Sequence, residues 1–489
     1  MIKNFKWLLL VSLSFVACDN NDDEDAVAEI PITSGSASFA KYVALGDSFA
    51  AGYSDGALFK AGQENSYVNI LAQQFMPAGG VAITTPLMAD NIGGLLLGGN
   101  VIAGPRLYFN GKGPVPVPGV PTTEVTNHLT GAFNNLGIPG AKSFHLLAPG
   151  YGNVAGVASG KANPYYARFA TSGSTTVLAD ALVQAPSFFS LFIGGNDVLS
   201  YATSGGIGVN QTGNLDPSTY GGNDITDPNV FANVYNALAT NLTASGAKGV
   251  VANLPYVTTL PYFTTVPYNP VPLTDAAATQ LNAGYARYNG GLQAMVTNKL
   301  LTAEEAARRT IKFVAGNNAV VIVDSYLTNL AAYGVPSYRQ VTKEDLVVLT
   351  ARTFIGTAVG GDPTKVNGVS VPLADQWVLS KDEVKEVQVA TDAYNKTISG
   401  IAESKGLAFV DTKLAMTQLS TSGVRFGNYH MTAAYVTGGA FSLDGVHPSP
   451  RGYAYIANLF VNAINAKYGA TLRTVDLSQY QIQYPATIQ

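Results

Sequence analysis

Short apolar runs bounded by turn residues recur along this chain, and stretches with apolar residues three and four apart lie between them. The runs YVALG (42–46), SFFSLFIGG (187–195), GVVANL (249–254), AVVIVD (319–324) and LAFVD (407–411) read as buried strands, being short and apolar on both faces. Asp227 followed by Pro228 is a helix start, after which Phe231, Val234, Tyr235, Leu238 and Leu242 share one face. Behind Pro450, the residues Ile456, Leu459, Phe460, Ala463 and Ile464 repeat that spacing. A strand apolar on both faces needs cover on both sides. Alternation of such strands with helices therefore predicts an α/β fold around a parallel sheet.

Other segments break the rhythm. Residues 76–127 and 205–226 are rich in glycine and proline and read as ordered loops, not as linkers. Residues 265–377 hold a helix pattern, the AVVIVD run and a further helical piece at 342–352, and read as a large insertion. The first residues differ from all of these. Lys3 and Lys6 precede an apolar run from Trp7 to Val16 that ends in FVAC, too short to span a membrane. This segment resembles a bacterial lipoprotein signal, with Phe15 where leucine is more usual, and the resemblance implies lipidation of Cys18. The expected organisation is a signal peptide at 1–18, an acidic tether at 19–38, a single domain at 39–470 and a C-terminal tail at 471–489. The expected place is the cell envelope of a Gram-negative-type bacterium, held by an N-terminal lipid anchor.

Composition narrows the partners. Only 12% of the 489 residues are charged and the formal net charge is -4, so the chain presents no basic field for nucleic acid. Cys18 is its single cysteine, which excludes a disulfide within the chain. Neither HExxH nor paired cysteines occur, so no metal site and no cofactor are expected.

In an open parallel sheet, ligands bind beyond the carboxyl ends of the strands. Two such ends carry small and polar groups: GDS after the first run, and GGND at 194–197. Ser48 and Asn196 are thus placed to face one crevice, although either residue could equally cap a helix or turn, as could Asp197. A nucleophilic serine needs a base, and the chain offers four histidines. His128, His145 and His430 stand in contexts that read as structural. His447 stands in DGVHPSPRGY, where Asp444 is placed to orient it just before a helix. An α/β-hydrolase elbow is excluded because Ala50 occupies its last glycine position, and a P-loop because Leu136 and Ala141 replace the glycines it needs.

Four short blocks together resemble the GDSL, or SGNH, family of serine hydrolases: GDSFAAG with Phe49 in place of leucine, NLGIPG at 135–140, GGND and DGVH. The resemblance implies a three-layer α/β/α sandwich with a mostly parallel central sheet, flavodoxin-like in plan. It implies Ser48 as nucleophile, His447 as base and Asp444 as its orienter, with Ser48, Gly140 and Asn196 forming an oxyanion hole. It further implies cleavage of carboxylic esters, those of lipids, simple acyl groups or acylated carbohydrates, with a small-molecule, lipid or glycan ester as the substrate. GGLLLGG (93–99) and NPYYARF (163–169) could line an acyl pocket or serve only as loop packing. A different reading keeps the fold but makes the chain a silent envelope lipoprotein that binds glycan or lipid.

Overall fold

Four of the five apolar runs become neighbouring strands in a computed structural model that describes residues 31–488. They are β1 (Tyr42–Gly46), β3 (Phe188–Phe192), β4 (Lys248–Ala252) and β5 (Ala408–Val410), and they are joined by β2 (Asn135–Gly137), the start of NLGIPG. The order across the sheet is β5-β4-β3-β1-β2 and every pairing is parallel. Counted from the β2 edge, the chain runs 2-1-3-4-5. The order reverses between β1 and β3, and their carboxyl ends flank the crevice that this topology opens.

Helices cover both faces, as two-sided burial of the strands demands. They are α1 (Ser48–Ala51), α2 (Tyr67–Phe75), α3 (Asn196–Thr203), α4 (Pro228–Thr243), α6 (Lys381–Ser404) and α7 (Pro450–Tyr468), while α5 (Asp275–Thr297) belongs to the 265–377 insertion. On one face α2 and α7 meet through Tyr67 and Phe460, whose rings lie 4.9 Å apart, with Phe192 of β3 beneath at 6.2 Å from Phe460. On the other, Phe231 of α4 stacks on Tyr394 of α6 at 4.2 Å. This is a three-layer α/β/α sandwich. The expected helix starts are real: Asp227 accepts from the Asn229 and Val230 amides, and Ser449 accepts from Gly452. In α7 the fully buried stripe runs through Tyr453, Ala457, Phe460, Val461 and Ile464, while Ile456 and Leu459 flank it half-buried.

Several expectations need correction. AVVIVD contributes no strand to the sheet; Val321–Val323 pairs antiparallel with Tyr338–Gln340 in a ribbon of the 265–377 insertion. The helical piece expected at 342–352 shrinks to one 3₁₀ turn, Leu349–Thr353, because the Asp345 carboxylate turns inward to Arg339 and the Thr342 and Lys381 amides. The tether also ends sooner than residue 38. Ser36 donates its amide to the Tyr468 carbonyl at 2.8 Å and Thr33 donates to Thr471 Oγ1 at 2.8 Å, so the chain is already paired to the end of α7 there. The tail packs as well, with Leu477 and Tyr484 buried. The expected signal sequence, Cys18 and tether residues 19–30 lie outside the described residues. Ile32–Gln489 forms one compact unit. Among the described residues no helix is long and apolar enough to cross a membrane.

Candidate active site

The first element of the site is the turn from β1 into α1. Asp47 caps the short helix by accepting the Phe49 amide at 3.0 Å, which sets Ser48 as its first residue at the carboxyl edge of the sheet. Burial pushes the Asp47 carboxyl up to about 7, against the pull of the Phe49 amide and of His447 and with the repulsion of Asp197. Asn135, at the start of β2, braces the same helix. Its Nδ2 donates to the Ala50 carbonyl at 2.9 Å, and its Oδ1 accepts from Gly137 at 2.9 Å.

The loop after β2 carries Gly140 at φ +79°, a conformation that favours glycine, with open space where a Cβ would project. The helix α3 begins at Asn196, whose Nδ2 donates to the Ala141 carbonyl at 3.0 Å. One amide hydrogen is thereby fixed and the side chain is oriented. Asp197 is not a helix cap. It is fully buried and accepts from the Ser143 amide at 2.8 Å and from Ser143 Oγ at 2.7 Å, which ties the Gly140 loop to α3. Burial raises its pKa, and the hydrogen bonds from Ser143 oppose that rise.

The loop before α7 brings in the last two groups. His447 Nε2 lies 2.9 Å from Ser48 Oγ, and His447 Nδ1 lies 2.8 Å from Asp444 Oδ2. Asp444 Oδ1 accepts three further bonds, from the Val446 amide at 2.9 Å, the His447 amide at 2.8 Å and Ser442 Oγ at 3.0 Å. Burial would raise this carboxyl, but His447 and those amides outweigh it and hold the group below the usual carboxylate range. Asp444 is thus kept ionised next to the imidazole. The ring of Tyr53 packs on that imidazole at 4.6 Å, and the ring of Phe49 lies 5.6 Å away on its way to Phe192. A hydroxyl hydrogen-bonded to an imidazole, itself held by a carboxylate, can give up its proton as it attacks an electrophile.

The other histidines are engaged elsewhere: His128 at the Ala170 carbonyl, His430 at the Ser422 carbonyl, and His145 as acceptor of the Lys142 amide. Burial and then Lys142 lower His145 to about 4. The loop segments once open to two readings are packed. Leu95 and Tyr165 are buried in a second apolar cluster with Ala51, Leu58, Met88 and Val125, and Tyr166 is buried in the main core. Sequence reasoning missed Asn135, Asp47, Ser143 and Ser442, all of which act on the site through hydrogen bonds. The Asn of NLGIPG was in view there, but only its last glycine drew attention.

Fold and geometry together define a class: α/β sandwiches with a serine, a histidine and an aspartate in one hydrogen-bonded row at the carboxyl ends of a parallel sheet. Within it, the model of the GDSL-like lipase/acylhydrolase family matches residues 42–460, and the chain belongs to that family. It is a carboxylic ester hydrolase. Among curated proteins none matches it. Solved structures similar to it include the acetylxylan esterase Axe2 of Geobacillus stearothermophilus, at 12% identity and a TM-score of 0.32, covering 91% of this chain and 100% of that one. They also include LAE5, an α/β hydrolase enzyme from the Lake Arreo metagenome, at 11% identity and a TM-score of 0.33, covering 88% of this chain and 96% of the other.

Proposed function

We propose that Ser48 is the nucleophile of this ester hydrolase, His447 its general base and acid, and Asp444 the group that orients the imidazole and stabilises the imidazolium formed when it takes the serine proton. The observation that carries this reading is the unbroken row from Ser48 Oγ through His447 to Asp444, with contacts of 2.9 and 2.8 Å. Ser48 attacks the ester carbonyl as His447 Nε2 takes its proton, forming a tetrahedral oxyanion. The amides of Ser48 and Gly140 and the side-chain amide of Asn196 stabilise that charge. His447 then protonates the leaving alcohol. A water, deprotonated by the same nitrogen, cleaves the acyl-enzyme and returns Ser48 to its starting state.

Short acyl groups suit this site better than long ones. Of the two segments open to an acyl-lining role, GGLLLGG packs Leu95 and NPYYARF packs Tyr165 and Tyr166 into apolar clusters, and Asn163 and Pro164 face a separate cleft with Phe144, Tyr151 and Tyr220. The apolar cavity beside Phe49 and Pro448, the sequence neighbours of Ser48 and His447, has a volume of only about 60 Å³. The test is hydrolysis of an ester series from acetyl to long acyl by the wild type beside Ser48→Ala. Activity should centre on the shortest esters and fall by about 10³-fold or more in the variant. Equal rates in the two proteins would remove Ser48 from the mechanism, and a preference for long chains would refute the short-acyl reading.

A further inference from the structure

The stretch GDSFAAGYSDG has a second half with no part in the chemistry above, yet it grips the loop that carries Asp444 and His447. Ser54 and Ala57 exchange backbone hydrogen bonds, each 3.1 Å, so Asp55 and Gly56 are the two central residues of a tight hairpin. Both have positive φ, 53° and 78°, the signature of the mirror-image turn that Asp-Gly favours. The hairpin docks against residues 442–448 through bonds in both directions. The Asp55 amide donates to Ser442 Oγ at 2.9 Å, the Leu443 amide donates to Asp55 Oδ1 at 2.9 Å, and the Gly56 amide donates to Asp444 Oδ2 at 3.0 Å. Ser54 Oγ donates to the Pro448 carbonyl at 3.1 Å, one residue past the histidine. Ser442, held by Asp55, in turn donates to Asp444 Oδ1 at 3.0 Å.

Turn formation alone does not account for Asp55. Asn-Gly or Gly-Gly would make the same hairpin, whereas this carboxyl is 1% exposed and its Oδ2 has no hydrogen-bond partner among the described residues. Leaving a buried polar atom unpaired costs stability, because its lost hydration is not replaced. Burial, with Asp444 adding to it and the Leu443 amide and Arg106 opposing, pushes the group up to about 7. Tyr435 and Tyr484 also face it. A residue kept at such a cost is held for what its other atoms do, and those atoms hold the acid–base loop.

We infer that Asp55 is a positioning residue for the acid–base pair: its amide and its Oδ1 fix Ser442 and Leu443 so that Asp444 meets His447. This inference rests on the triad reading. The test compares Asp55→Gly, which keeps the positive-φ turn and removes the partner of Leu443, with Asp55→Asn, which keeps both turn and acceptor oxygen. With a chromogenic acetate ester, Asp55→Gly should lose about 10- to 100-fold in kcat with KM within about twofold. Asp55→Asn should restore kcat to within about threefold of wild type. Wild-type kcat in Asp55→Gly would overturn the inference, and so would an Asn variant as impaired as the Gly variant. If Asp55→Gly does not fold, Ser442→Ala cuts the second tie, the one from the Asp55 amide through Ser442 Oγ to Asp444, and an unchanged kcat there is equally fatal. Ser48→Ala, run in parallel, separates the two claims: an active Ser48→Ala sinks the triad reading, whereas an inactive one beside a fully active Asp55→Gly sinks only the role of Asp55.

Discussion

Gly137→Ala is the substitution that best tests how Ser48, the proposed nucleophile, is held. Gly137 ends β2 in register with Gly46 of β1, directly under the short helix that begins at Ser48. A methyl group there would lie 2.2 Å from the Ala51 amide nitrogen and 2.5 Å from the Ala50 carbonyl carbon, where ordinary contact begins near 3.4 Å. Both obstacles are backbone, so no side-chain rotation relieves them, and strand and helix must separate by about 1 Å. The strand is fixed by its pairing to β1 and Asn135 is bonded across to Ala50, so the displacement passes into α1 and carries Ser48 with it. A misplacement of about 1 Å costs about 100-fold in rate, and overpacking of this kind costs about 1–3 kcal/mol of stability. Steady-state kinetics on an acetate ester, with a urea melt to measure the folded fraction, should therefore show kcat down about 100-fold and KM within about twofold. A folded Gly137→Ala enzyme within threefold of the wild-type kcat would refute the argument that this glycine sets the position of Ser48.

Two further outcomes follow from the site. Asn196→Ala should lower kcat by about 10²- to 10³-fold with little change in KM, as loss of one oxyanion donor does; a KM effect alone, in the same kinetic assay, would place the residue in ground-state binding instead. Stability should fall as pH rises from about 4 to about 7: Asp47 and Asp55 are both pushed up to about 7 by burial, so over that range the folded chain binds protons that the unfolded chain has released. Two groups have the opposite sign. His145, lowered to about 4, adds stability as pH rises towards the usual imidazole range and offsets part of the fall from the two carboxyls. Asp444, with its depressed pKa, adds stability that is lost only as pH drops below the normal carboxylate range. Urea midpoints at pH 5 and pH 8 check this, with the wild type weaker at pH 8 and the difference reduced in Asp47→Asn. A midpoint that rises over that interval contradicts the sign.

The sheet was legible wherever burial on both faces left a continuous apolar run with no competing explanation. YVALG, SFFSLFIGG, GVVANL and LAFVD all gave core strands within a few residues. AVVIVD has the same letters but pairs with an arginine-bearing strand, and Arg339 finds Asp324 and Asp345 there, a partner set invisible to local pattern. β2 was read only as a motif because three residues with a central leucine carry no periodicity. The four-letter signature alone was also ambiguous: GGND recurs at 221–224, where Asp224 closes a loop on the Gly221 and Val209 amides and follows no strand of the sheet. What singled out 194–197 was the apolar run before it. The hairpin at Ser54–Ala57 had its signal in plain view as Asp-Gly, but its docking partner lies 388 residues away.

That separation bears on how so elaborate a chain keeps so small a site. Ser48 and His447 are 399 positions apart, yet each is set by a local rule: Ser48 by the end of a core strand, His447 by the loop that enters α7. Gly452, in the first turn of that helix, sits against the Ala440 carbonyl so closely that a Cβ would lie 2.0 Å from it, which folds the 440–449 loop back onto its own helix. The 76–127 and 265–377 insertions leave from the loops between these elements, and closing a longer loop costs only about 0.6 kcal/mol per doubling. The insertions can therefore vary without moving a strand end. What cannot vary freely is the contact between the two local rules, and across it run the bonds of Ser54, Asp55 and Gly56 to Ser442, Leu443, Asp444 and Pro448. The segment that carries Ser48 thus also braces the loop that carries His447, so the two halves of the site are placed relative to each other and not merely each to the sheet.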